Sequence, residues 1–333
     1  MNKKTKNIAV IGDGGWGTTL ALCLARNNYP VTVWGAFPAN IRHIQKTGVN
    51  TKFLPGIKLP KKIAFTSGLD EAVNSADILV LSTPSQYLRG VLKKLKKLNL
   101  ANKIILSVIK GIDTKTLERM SEVITKELNP SQFAVLSGPT IAIEVAKGIP
   151  STAVIASKSK QTATQLQKIF NSDRFRIYTN TDVTGIEIGG SIKNVIALAC
   201  GVCDGLGYGT NTKSAIMTRG LVEMSRLGKA LGAKPKTFSG LAGLGDLVTT
   251  CVSPNSRNRS VGEQLGKGKS IKKILAGMNM VAEGVETVKA VYKLSKRHNI
   301  SMPISNEVYN IIYKGKKPQK AVEDLMARKI KAE

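Results

Sequence analysis

At 333 residues, with 42% hydrophobic and 22% charged side chains, the chain is long enough for two ordinary domains and a large core. Four cysteines exclude a disulfide-built scaffold. The basic start Met1-Asn2-Lys3-Lys4-Thr5-Lys6 runs into a short strand broken at Gly12, no apolar stretch reads as long enough to span a bilayer, and a cytoplasmic protein without membrane insertion is expected. The net charge of +28 would suit a polyanion, but it comes from scattered lysines, 38 against 12 arginines, with 5% aromatic residues and no RNA-binding sheet signature. Solvated faces are therefore expected rather than a nucleic-acid partner, in a field that draws small phosphorylated molecules inward.

The first 180 or so residues alternate short apolar runs with amphipathic segments, the pattern of a parallel sheet covered by helices. Strands are predicted at 7–11, 31–34, 63–65, 78–82, 104–108, 133–137 and 152–156, with helices such as 18–26 and 117–126 between them. From about Thr184 strand signals nearly vanish, and helices are predicted at 185–203, 212–231, 261–265, 270–275, 285–298 and 304–313. The expected fold class is an α/β Rossmann-type dinucleotide-binding domain over 1–183 followed by an all-helical substrate domain over 184–333.

Ile8-Ala9-Val10-Ile11-Gly12-Asp13-Gly14-Gly15-Trp16-Gly17 is an apolar strand entering G-x-G-x-x-G, with an alanine- and leucine-rich helix after it. Gly12 permits the tight turn, Gly14 lets backbone approach a pyrophosphate, and Gly17 lets helix pack on strand. The N–H groups at the helix start then hold the anion. The second strand should end in an acid for the ribose of NAD, or a base for the 2′-phosphate of NADP. Val33-Trp34-Gly35-Ala36-Phe37 has neither, although Arg42 could reach in from the next helix, so NAD and NADP both stay open.

Hydride transfer to or from a secondary alcohol needs a group that handles the hydroxyl proton. The two histidines, His43 and His298, lie in no glycine-rich or polar cluster, which leaves lysine, provided burial or a cationic neighbour lowers its proton affinity. Lys193 in Gly-Gly-Ser-Ile-Lys-Asn-Val-Ile is apolar on both sides and is expected to face a cavity, the alternative being a lysine snorkelling at the core edge. Lys110 follows an apolar strand near the carboxyl edge, where ligands of α/β sheets bind. Asp246, in Gly-Leu-Gly-Asp-Leu, calls for a lysine partner if buried, with a role in orienting Lys193 or a substrate hydroxyl; otherwise it caps a loop. Ser256-Arg257-Asn258 offers a hydroxyl, a planar guanidinium and an amide in one turn, suited to a phosphate, or is a plain polar loop. Cys200-x-x-Cys203 lies in a small-residue helix with no second pair, so packing cysteines and no metal are expected.

Eight segments in order, GDGGWGTT at 12–19, SVIKGI at 107–112, LSGPTIAIE at 136–144, GGSIKNVIALACG at 189–201, NTKSAIMTRGLVEM at 211–224, GLAGLGDLVTTC at 240–251, SPNSRN at 253–258 and VAEGVET at 281–287, resemble the NAD(P)-dependent glycerol-3-phosphate dehydrogenases over nearly the full chain. The resemblance implies interconversion of sn-glycerol 3-phosphate and dihydroxyacetone phosphate, supplying glycerol 3-phosphate for phospholipid synthesis. It implies Lys193 as proton acceptor, Lys110 against both substrate and nicotinamide, and Ser256, Arg257 and Asn258 on the phosphate, with Arg257 also near the cofactor. Gly138 and Thr140 align with substrate contacts, Gly15, Trp16 and Ala142 with cofactor contacts, and Val281 and Glu283 with contacts at the nicotinamide side. A homodimer is expected. Two departures stand out: Ala36 replaces a basic residue of many relatives, and Asp13 replaces a small residue in the glycine turn, where an acid would repel the pyrophosphate unless it points away. Two rival readings are another two-domain dehydrogenase, acting on a hydroxyacid or a phosphosugar, and a non-catalytic basic dinucleotide-binding protein.

Overall fold

The protein is described as a computed structural model covering residues 6–278 and 280–330; the basic stretch Met1–Thr5, in the numbering of the sequence, lies outside the described residues. The chain forms two compact units, one of residues 1–110 and 118–187, the other of 111–117 and 188–333.

The first unit is built on one eight-stranded sheet of β1 (Ile8–Ile11), β2 (Val31–Trp34), β3 (Ile63–Thr66), β4 (Ile78–Leu81), β5 (Ile104–Ser107), β6 (Gln132–Ser137), β7 (Ser151–Ala156) and β8 (Phe175–Asn180). Its order is β3-β2-β1-β4-β5-β6-β7-β8. β1 to β6 pair in parallel, and the register sets Ile11 opposite both Trp34 and Leu81. Strands such as Ile-Leu-Val-Leu in β4 are buried on both faces because helices cover the sheet, hence their unbroken apolar runs. One core, around Val10, Leu20 and Leu106, lies on one side, and a second, around Ile11, Leu79 and Leu92, on the other.

Chain order reverses at β1, whose neighbours are β2 and β4, which places a topological switch point at the carboxyl end of β1. The glycine turn sits there. All seven expected strands form within a residue or so of the predicted bounds. Two features differ. The sheet is not wholly parallel, since β7 runs antiparallel to β6. An eighth strand, β8, closes the edge, with alternating buried and exposed residues rather than an apolar run.

The second unit is helical, and among its described residues no strand forms. Its core gathers Ile188, Ile192, Leu198, Met224, Leu247, Val261 and Val288. The expectation that no apolar stretch could cross a bilayer fails for the helix Val183–Gly205, which is long and apolar enough. That stretch is 94% buried inside the protein, so its apolarity belongs to the core.

Candidate active site

The glycine turn is built as its chemistry requires. Gly12 has φ +128°, a left-handed conformation reserved for glycine, and a methyl group on Gly17 would lie 2.1 Å from the Gly12 carbonyl oxygen. Beyond Gly14 the space is open. The helix Gly15–Arg26 starts without a side-chain cap and without an acid in its first turn, so its leading N–H groups remain available to an anion. Trp16 packs edge-on to Phe175 at 6.3 Å, and its buried Nε1 has no hydrogen-bond partner among the described residues. These features fit a bound dinucleotide pyrophosphate.

Asn50, fully buried, fixes the turn from behind: its Nδ2 donates to the Asp13 carbonyl at 2.7 Å and to Thr18 Oγ1 at 2.9 Å. Thr19 Oγ1 donates to the Ala142 carbonyl at 3.1 Å, which brings the predicted cofactor residue Ala142 to the glycine turn. Asn50 and Thr19 were not singled out in the sequence. The Asp13 carboxylate does point away from the helix start, as an acid in this turn must. Its Oδ2 accepts from Asn40 Nδ2 at 2.7 Å, and burial pushes the carboxyl above its ordinary range, partly offset by Asn40 and Lys52.

Three predicted substrate residues converge in the same unit. Lys110, just past β5, donates to the Gly138 carbonyl at 3.3 Å, and Thr140 Oγ1 donates to that oxygen at 3.2 Å. The ends of β5 and β6 thus present an ammonium, a hydroxyl and a bare backbone together.

In the helical unit Lys193 lies in the middle of Val183–Gly205 and is only 6% exposed. Its Nζ donates to Asp246 Oδ1 at 2.5 Å and to Thr250 Oγ1 at 2.6 Å, while Thr250 Oγ1 donates onward to the Asp246 carbonyl at 2.7 Å. Asp246 is 1% exposed. The glycine-rich run places it there. Leu241–Gly245 winds as one π-helical turn leading straight into the helix Asp246–Val252. Gly189, one turn before Lys193, allows this segment close, since a methyl group there would lie 2.5 Å from the Ala242 carbonyl oxygen. Lys193 therefore faces a carboxylate and is no snorkelling surface lysine, and Asp246 has the lysine partner its burial demanded. Of the two conditions set for a proton-handling lysine, burial or a cationic neighbour, Lys193 meets the first, and its neighbour is a carboxylate. Thr250, one helical turn after Asp246, is the member that sequence reasoning missed.

The Ser256-Arg257-Asn258 turn is held by its own hydrogen bonds. Ser256 Oγ accepts from the Arg259 N–H at 3.3 Å and caps the helix Arg257–Gly266. Asn258 is buried; its Nδ2 donates to Asn194 Oδ1 at 2.9 Å and its Oδ1 accepts from the Gly284 N–H at 2.9 Å. Arg257 is exposed, and its Nη1 donates to the Val281 carbonyl at 2.6 Å. Val281 and Glu283 were expected beside the nicotinamide; Val281 adjoins Arg257 through this bond, and Glu283 begins the helix Glu283–Arg297. The four cysteines are all buried and free, as packing residues should be.

Two family models match the chain, the N-terminal part of NAD-dependent glycerol-3-phosphate dehydrogenase over residues 7–163 and its C-terminal part over 182–323. The chain is 48% identical over 330 residues to the glycerol-3-phosphate dehydrogenase (NAD(P)+) of Chlorobium limicola, covering 98% of this chain and 99% of the relative. It is 48% identical over 331 residues to the protein of the same name from Geobacter metallireducens, with 98% and 99% covered. Among solved structures, glycerol-3-phosphate dehydrogenase from Coxiella burnetii superposes with a TM-score of 0.94 at 37% identity, covering 97% of this chain and 99% of that one.

Proposed function

We propose residue roles from a plain premise: the chain belongs to the NAD-dependent glycerol-3-phosphate dehydrogenase family. It is an NAD(P)-dependent oxidoreductase that interconverts sn-glycerol 3-phosphate and dihydroxyacetone phosphate. The bound nicotinamide supplies or takes the hydride, which leaves the protein to move a proton at the reacting oxygen and to hold the phosphate.

Lys193 is the proton-handling group, and the buried Lys193–Asp246–Thr250 cluster is the observation that carries this reading. In ketone reduction its ammonium donates a proton to the oxygen as the alcohol forms; in the reverse direction the amine takes that proton back. Asp246 aims the group through its hydrogen bond, and Thr250 fixes its second N–H direction, so both act as positioning residues. Ser256, Arg257 and Asn258 hold the substrate phosphate, a planar guanidinium being suited to paired phosphate oxygens. Lys110, Gly138 and Thr140 present donors and an acceptor to the substrate, with Lys110 also beside the nicotinamide. Gly12, Gly14, Gly15, Trp16, Gly17 and Ala142 cradle the dinucleotide, and Arg257, Val281 and Glu283 complete its nicotinamide side.

This reading takes 1–183 as the dinucleotide-binding domain, which also lends Lys110, Gly138 and Thr140 to the substrate, and 184–333 as the helical catalytic and substrate domain. It also takes the protein to be a cytoplasmic homodimer without nucleic-acid partner or membrane insertion, providing glycerol 3-phosphate for phospholipid synthesis. The deciding experiment is steady-state oxidation of NADH and NADPH by dihydroxyacetone phosphate with purified protein, alongside Lys193→Ala. The variant is expected to keep dinucleotide binding and to lose roughly 10²–10⁴ in kcat. Undiminished turnover would remove Lys193 from the proton transfer.

A further inference from the structure

The end of β2 is where a Rossmann-type site discriminates between the two nicotinamide dinucleotides, because the adenosine ribose lies there with either a free 2′-hydroxyl or a 2′-phosphate. In this chain β2 ends at Trp34 and is followed by Gly35-Ala36-Phe37, which carries no acid and no base. The space a side chain at position 35 would fill is nevertheless taken by the Ile41 side chain, 2.6 Å from a methyl group there, and by a carboxylate. A methyl group on Gly35 would lie 2.7 Å from Asp13 Cγ and 2.8 Å from Asp13 Oδ2. Asp13 thus reaches from the glycine turn across to the end of the neighbouring strand, and Gly35 makes room for it.

We propose that Asp13 is the cofactor-selecting residue of this protein: its carboxylate serves as the ribose acceptor that β2 itself lacks, and favours NAD(H) over NADP(H). The inference rests on the reading that the dinucleotide lies along the glycine turn. Three observations support it. Asp13 is 6% exposed, so water screens it less than a surface carboxylate against an incoming phosphate. Asn40, on the helix Pro38–Thr47 after β2, donates to Oδ2 and fixes the side chain at the strand end rather than over the pyrophosphate. The basic residue that a 2′-phosphate would need is absent from position 36, which holds alanine. A nearby cation is Lys52, an exposed side chain whose ammonium lies 5.0 Å from the Phe37 ring and 5.1 Å from the Phe53 ring. A flexible surface lysine offsets a buried carboxylate only in part.

The geometry has a further consequence. A hydroxyl can donate to a carboxylate, whereas a phosphate brings only acceptors and negative charge, so one group both attracts the first cofactor and rejects the second. A neutral residue at position 13 should relax the choice from both directions.

The test measures NADH and NADPH dissociation constants without substrate, by quenching of tryptophan fluorescence and by calorimetry, for wild type, Asp13→Asn and Asp13→Ala. Asp13→Asn nearly preserves volume and keeps a partner for Asn40, so it separates charge from folding. Wild type should bind NADH at least about tenfold more tightly than NADPH, and both variants should bring the ratio to within about threefold, by weakening NADH and strengthening NADPH. A wild-type ratio near one, a preference for NADPH, or variants that weaken both cofactors equally would each overturn the proposal. So would a loss of discrimination in Lys52→Ala with none in Asp13→Asn. Wild-type protein that bound neither dinucleotide would instead take down the underlying cofactor reading, and this inference with it.

Discussion

Asn258 donates its Nδ2 to Asn194 Oδ1 at 2.9 Å, which ties the Ser256-Arg257-Asn258 turn to the residue next to Lys193. The same side chain accepts from the Gly284 N–H, so one buried amide fixes three segments at once. A change at Asn258 should therefore damage structure and chemistry together. Asn258→Ala strands the Gly284 N–H and Asn194 Oδ1, each at about 1–3 kcal/mol if left unpaired. A lowered Tm together with a raised KM for dihydroxyacetone phosphate is expected, with NADH affinity little changed. An unaltered Tm would show that these bonds contribute nothing net.

The Lys193–Asp246 pair predicts an asymmetry between breaking it and replacing it. Asp246→Ala leaves an ammonium buried opposite an alanine and should cost about 3–5 kcal/mol. Lys193→Met combined with Asp246→Leu removes both charges and should recover most of that stability while staying inactive. Urea unfolding of Lys193→Met, of Asp246→Leu and of the double variant reads this directly. A double variant as unstable as the sum of the singles would mean the pair is not the coupled unit its 2.5 Å separation indicates.

Much of the cofactor half was legible because its signals are local. Apolar runs long enough to be buried on both faces gave seven strands, and the glycine spacing after β1 gave the turn. What stayed hidden depends on neighbours in space. Nothing in Thr152-Ala153-Val154-Ile155 encodes whether the strand runs with or against β6. β8 carried the weaker period-two signal of Phe175-Arg176-Ile177-Tyr178, half exposed at a sheet edge, and was passed over. Lys193 and Asp246 could be paired from the cost of burying either charge alone, but Thr250 joins them only because it follows Asp246 by one helical turn. The direction of Asp13 was beyond sequence reasoning, since it is set by the missing side chain at Gly35, which admits the carboxylate, and by Asn40.

Two glycines predict opposite outcomes for one substitution. In the helical unit, Val183–Gly205 crosses Arg257–Gly266 at backbone contact: a methyl group on Gly201 would lie 2.0 Å from the Arg259 carbonyl oxygen, and one on Gly262 2.1 Å from the Leu198 carbonyl oxygen. Neither partner atom can rotate away, so Gly201→Ala must push the helices apart and should cost about 1–3 kcal/mol. Gly90, inside the helix Leu88–Leu95, has nothing within 4 Å of its would-be methyl group. Gly90→Ala should stabilise by roughly 0.4–1 kcal/mol through reduced freedom of the unfolded chain. Thermal unfolding that moved in the same direction for both would contradict the packing described.

The cysteines carry the pH prediction. Burial pushes the Cys23 thiol up to about 11 and the Cys203 thiol up to about 12, the latter also raised by Cys200 and Asp204. In the unfolded chain both ionise near the ordinary value of 9.0. The native state therefore holds these protons more tightly than the unfolded state. The stability they contribute is intact below pH 9, falls as unfolded thiols ionise above it, and is lost once pH has risen through the native values. For Cys23 a displacement of two units corresponds to roughly 3 kcal/mol at the alkaline end. Comparing urea midpoints at pH 8 and pH 11, wild type should lose more stability than Cys23→Ala, after correction for their difference at pH 8. At pH 8 the native enzyme should react slowly with a disulfide reagent at all four thiols, since all four are buried, and react at all four once unfolded. Rapid modification of Cys200 or Cys203 in the native state, with formation of a Cys200–Cys203 disulfide, would show a redox pair where the packing places two inert core thiols.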